Sequence, residues 1–85
     1  YPQDLNASFY GGLSYFNVGE YEKAIDLFDQ ILASNTATFY EEAMWYKVKS
    51  LVKIGLRQEA KQLLVKIIAQ GGFYSKEAIE LKSKL

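Results

Sequence analysis

Histidine and cysteine are both absent from this chain, and proline occurs once. The missing cysteine removes disulfides, thiolate nucleophiles and Cys-ligated zinc together. The missing histidine removes the commonest general base at neutral pH and a frequent metal ligand. A single proline disfavours a turn-rich β architecture and leaves helices uninterrupted. No apolar run reaches the roughly 18 residues of a membrane span, so no membrane insertion is expected. Nor is there a basic, apolar, small-residue leader; because residue 1 is Tyr1 and not methionine, a cut-out or processed product is expected and the compartment stays open.

Net charge is formally zero, which argues against a nucleic-acid binder, although Lys47, Lys49 and Lys53 do interleave with Trp45 and Tyr46. The charge is unevenly spread. Residues 1–42 hold seven acids against one base, a net of −6, and residues 43–85 hold nine bases against three acids, a net of +6. Solvated helix faces of opposite sign that attract weakly would explain this. Steering of a charged partner, or head-to-tail association, would explain it too and would weaken with salt.

What the chain does contain is an internal echo. The stretch 19–32 starts with Gly19, places Ala24 five residues later and then runs apolar at helical spacing through Leu27, Phe28 and Ile31. The stretch 55–68 repeats this with Gly55, Ala60, Leu63, Leu64 and Ile67, and Ala60 follows Ala24 by 36 residues. A period of this size marks stacked helical repeats.

In chain order, a first helix is predicted over about 5–18, capped by Asp4 with Pro2 ahead of it. Phe9, Leu13 and Phe16 form one stripe on it, with Ser8, Gly11, Gly12 and Tyr15 beside them. Two adjacent glycines cost about 1 kcal/mol each relative to alanine within a helix, so a neighbouring helix is expected to approach their backbone closely. Gly19 ends this helix, and a second is predicted over about 21–34, with Ala24, Leu27, Phe28 and Ile31 inward and its charges outward. Residues 35–38 form the connection.

A third helix is predicted over about 39–54, with a stripe of Tyr40, Met44, Val48 and Leu51 and a second of Trp45, Lys49, Val52 and Lys53. Lys47 is expected to lay its stem on apolar surface with its ammonium in water. A fourth helix follows over about 57–70, stopped by Gly71 and Gly72. Ser75 is expected to cap a last, solvating helix, about 75–85, on which Glu80 and Lys84 can pair at i,i+4.

The two Gly-to-Ala-to-Phe/Leu blocks resemble the tetratricopeptide repeat, over about residues 5–74. Tyr21, Ala24 and Phe28 match its aromatic, small and aromatic positions, and Gly12 and Tyr15 match two positions of its first helix; Ser8, Gly11 and Lys47 depart from it. The resemblance implies an all-α fold, an α-α superhelix of stacked antiparallel helix pairs: repeat one about 5–38, repeat two about 41–74, and a capping helix about 75–85. It also implies that the first helix of each repeat lines a concave, protein-binding groove. That places Asn6, Phe9, Leu13, Phe16 and Asn17 in the groove from repeat one, and Glu42, Trp45, Lys49, Val52 and Lys53 from repeat two. The alternative for Phe9 and Trp45 is packing between helices. Members that bind chaperone tails use Lys and Asn at two groove positions that are here Phe9 and Leu13, so that specific role is not implied.

No catalytic constellation stands out. Glu22, Asp26 and Asp29 share a helix face at i, i+4 and i+7, which suits solvation better than a cation site. Gly11-Gly12 and Gly71-Gly72 lack the strand and the Lys-Ser/Thr of a phosphate loop. The expected function is therefore a non-enzymatic interaction module for a protein or peptide, without a cofactor. The alternative is a structural capping or self-association segment, part of a longer array or covered by a second copy at Phe9 and Tyr10, because a stack usually needs three or more repeats.

Overall fold

The computed structural model describes residues 4–85, so Pro2 lies outside the described residues. It consists of α1 (Leu5–Asn17), α2 (Tyr21–Leu32), α3 (Tyr40–Lys53), α4 (Arg57–Gln70) and α5 (Ser75–Lys84). Each helix packs on the next in sequence, and α1 also touches α3. The fold is all-α, as the periodicity predicts.

Asp4 starts α1 by accepting a hydrogen bond from the Ala7 N–H at 3.1 Å. The hairpins α1–α2 and α3–α4 close in the same way. Glu20 N–H donates to Tyr15 O at 2.8 Å and Gly19 N–H to Phe16 O at 3.1 Å, while Leu56 N–H donates to Leu51 O at 2.9 Å and Gly55 N–H to Val52 O at 3.1 Å. This pair of bonds requires a left-handed residue after the helix, and Gly19 at φ 82° and Gly55 at φ 84° supply it. The repeated sequence block thus encodes a repeated turn.

Two buried clusters form the core. The first contains Phe9, Ala24, Phe28, Ile31 and Ala43; the second contains Met44, Val48, Leu51, Ala60, Leu64, Ile67 and Ala78. Each hairpin's cluster is completed by an alanine from the helix that follows, Ala43 of α3 and Ala78 of α5. No hairpin buries its core alone.

Gly12 explains the tight pairing of α1 and α2. A Cβ there would lie 2.6 Å from Phe28 Cε1, on a ring that is fully buried. At Gly11 a Cβ would meet only the end of Leu27, at 3.0 Å. The expected close approach is therefore real, and Gly12 makes it.

Several boundaries differ from expectation. Helix α2 ends at Leu32 rather than near residue 34: the Ser34 N–H and hydroxyl both turn back to donate to Ile31 O, at 3.1 and 2.6 Å, and Asn35 follows in a left-handed conformation at φ 61°. Phe39 precedes α3 instead of opening it, in a left-handed conformation at φ 58°. Such a backbone is uncommon for a bulky residue, and the Phe39 ring is held there by stacking on Phe9, with centroids 4.4 Å apart and planes 7° apart. Tyr74, not Ser75, is the cap of α5, and no side chain caps that helix. Lys47 does not leave its ammonium free in water; it meets Asp29 Oδ1 of α2 at 2.7 Å. That half-exposed pair contributes about 0.2–1 kcal/mol.

Gly12→Ala gains about 1 kcal/mol of helix propensity but drives a methyl into the Phe28 ring, which costs about 1–3 kcal/mol. Urea unfolding should show Gly12→Ala less stable than the parent, and Gly11→Ala equal or more stable because Leu27 can swing aside. Equal effects at both positions would contradict this packing.

Candidate protein-binding groove

Helices α1, α3 and α5 each begin a packing unit, so the chain has two comparable junctions, α1 with α3 and α3 with α5. Ala43 and Ala78 are the matched points, each buried in the cluster of the hairpin before it. Three residues after each stands the side chain that faces that hairpin's first helix: Tyr46 in α3 and Leu81 in α5.

In the first junction Tyr46 fills the space. Its ring lies 6.5 Å from Phe9, 5.5 Å from Phe16 and 6.2 Å from Phe28, the first two edge-on. Edge-to-face aromatic pairs contribute about 0.5–1.5 kcal/mol beyond the area they bury. Lys49 lies above this seam, its Nζ 5.6 Å from the Phe16 ring centre, 5.3 Å from Tyr46 and 6.0 Å from Trp45. Aromatic rings thus occupy the first junction.

In the second junction the smaller Leu81 leaves a gap. A groove of about 340 Å³ opens there, with Trp45, Lys49, Val52 and Lys53 on its α3 wall and Glu77, Glu80, Leu81 and Lys84 on its α5 wall. That volume lies at the lower end of the range for ligand sites, about 300–1,000 Å³. At one end Trp45 stacks on Tyr74, with centroids 5.4 Å apart and planes 12° apart. Trp45 therefore both packs and lines the groove.

Lys49, Lys53 and Lys84 face Glu77 and Glu80 around the groove without forming a direct ion pair among the described residues. Among the described residues the ion pairs are Lys23–Glu20 and Lys47–Asp29. The pair expected between Glu80 and Lys84 is not made. The cation–π contacts hold Lys49 in place without neutralising it.

The Tyr74 hydroxyl is held above the ordinary phenol value of 10.0, chiefly by burial, with further contributions from Tyr46 and from the carboxylates of Glu42, Glu77 and Glu41. Glu42 does not line this groove. It is half-buried and borders a separate depression with Tyr40, Glu41 and Gln70.

Of the positions that the resemblance places in a groove, Trp45, Lys49, Val52 and Lys53 converge on one surface. The repeat-one positions do not join them. Asn6 and Asn17 are exposed on α1, and Leu13 and Phe16 pack partly against the first cluster. Phe9 is a correction: it is only 7% exposed, because Phe39 and Tyr46 cover it. It is core rather than groove, and no second copy is needed to shield it. The α5 wall and Tyr74 were not expected. Their signal lies in Ala78 and Leu81, which follow Ala43 and Tyr46 by 35 residues and share one face of α5.

No family model matches this chain, and neither does any curated protein or solved structure.

A raised Tyr74 pKa means that the folded state holds that proton more tightly than the unfolded chain does. This contribution is fully present below pH 10.0 and is lost as pH rises past the ordinary phenol value. Stability should therefore fall above that pH more steeply in the parent than in Tyr74→Phe. Parallel profiles from urea unfolding at stepped pH would contradict the assignment.

Proposed function

We propose that this chain is a non-enzymatic protein-interaction module of tetratricopeptide-like build, and that it takes a peptide or protein segment into the groove between α3 and α5. The observation that carries this reading is the open space beside Trp45, Val52 and Leu81, flanked by lysines that form no ion pair among the described residues. An apolar floor with a few charged groups at its rim is how interfaces join affinity to register. The matching ligand presents one apolar side chain to Trp45 and Leu81 and an acidic side chain to Lys49 or Lys53. Glu77 and Glu80 on the opposite wall disfavour a uniformly acidic segment, so the ligand carries its acids on one side only.

Selection of a random peptide library on the intact chain tests this. Enriched peptides should share an apolar residue next to Asp or Glu, and their binding should change Trp45 fluorescence. Trp45→Ala should weaken them by about 2 kcal/mol, roughly thirtyfold in Kd, while Val65→Ala on the exposed side of α4 should leave them unchanged. Peptides that bind Trp45→Ala as well as the parent would move the site elsewhere. A folded chain that enriches nothing would favour a purely structural role for α5.

A further inference from the structure

The exposed side of α1 carries a second pattern that the groove does not use. Ala7, Tyr10 and Ser14 of α1 and its C-cap Val18 stand 36 residues before Ala43, Tyr46 and Ser50 of α3 and its C-cap Ile54. The first three pairs are identical residues and the fourth is conservative. On α3 this stripe packs onto the preceding hairpin: Ala43 and Ser50 are fully buried, and Tyr46 lies among Phe9, Phe16 and Phe28. On α1 the same stripe is uncovered. Tyr10 is 59% exposed and Val18 74%, and Ala7 and Ser14 also face outward.

Charge distinguishes this face from the other exposed surfaces. Helix α1 has no charged residue from Leu5 to Asn17, whereas each of the other helices has at least four. A helix side meant for water normally carries charge, and α1 carries alanine, serine, asparagine and tyrosine instead. Small and neutral side chains let another helix approach without desolvating an ion.

We propose that the outer face of α1 is a docking face for one more helical hairpin of the α1–α2 build, stacked ahead of α1 as α1–α2 is stacked ahead of α3. The occupant follows from what the stripe meets on α3, a hairpin surface with aromatic rings at the positions of Phe9, Phe16 and Phe28. A second copy of this chain cannot offer that surface, because its own α3 already covers Phe9 and Phe28.

The test is an extended chain in which a second copy of residues 5–39 precedes Asp4. Docking predicts added helix by circular dichroism, and protection of Tyr10 in its original setting from tyrosine-labelling reagents by about tenfold relative to the unextended chain. Tyr10→Lys in the extended chain should abolish the protection of Val18 in hydroxyl-radical footprinting, while leaving α3 and α4 unchanged. An added hairpin that stays unfolded, or that folds and leaves Tyr10 as reactive as before, overturns the proposal. Sedimentation of the unextended chain provides an independent check. A monomer is expected across the accessible concentrations, and a dimer that protects Tyr10 would overturn the proposal in favour of self-association.

Discussion

The structure depends on how each hairpin is completed by the helix after it. Two helices of this length leave one side of their shared apolar surface open, and here the first residues to close it are Ala43 and Ala78. Alanine permits the approach, and the residue three positions on decides what the approach leaves behind. Tyr46 fills its junction with an aromatic ring and fixes Phe9 and Phe16. Leu81 does not reach as far, and the shortfall is the groove. One choice of side chain at equivalent places thus separates a sealed core from an exposed site, because a well-packed interior has no slack to absorb the difference.

Electrostatics sit on top of this packing and do not drive it. The acidic first half and basic second half meet at Lys47–Asp29, between α2 and α3, where the pair supports a contact that apolar burial already makes. Around the groove the charges form no ion pair among the described residues, which costs little in water. Lys49 links the two junctions physically, since its ammonium lies over rings of both, Phe16 and Tyr46 on one side and Trp45 on the other. A ligand that draws Lys49 toward the groove would loosen its hold on the sealed seam.

Much of the fold was legible in the sequence, since helix periodicity and the Gly19 and Gly55 turns are local signals that tertiary packing then reinforced. Gly12 was legible as a close approach because a glycine in a helix interior calls for a reason. The site was only half legible. Counting positions along one repeat finds Trp45, Lys49, Val52 and Lys53, but it treats Phe9 as their equal, and Phe9 is covered by a ring from a different helix. The difference between Tyr46 and Leu81 belongs to the relation between repeats and appears only when α5 is aligned with α3. Phe39 was missed for a similar reason: nothing local predicts a left-handed phenylalanine, which is held there by its stacking on Phe9.

The central claim is that the size of the side chain at position 81 determines whether the α3–α5 junction is open. Acrylamide quenching of Trp45, the sole tryptophan, in the parent chain and in Leu81→Tyr measures it directly. If the groove exists because Leu81 is too small to seal it, the tyrosine should cover Trp45 as Tyr46 covers Phe9, lowering the quenching constant and shifting emission to shorter wavelength. Identical quenching and emission in two equally helical proteins would contradict that account of the site.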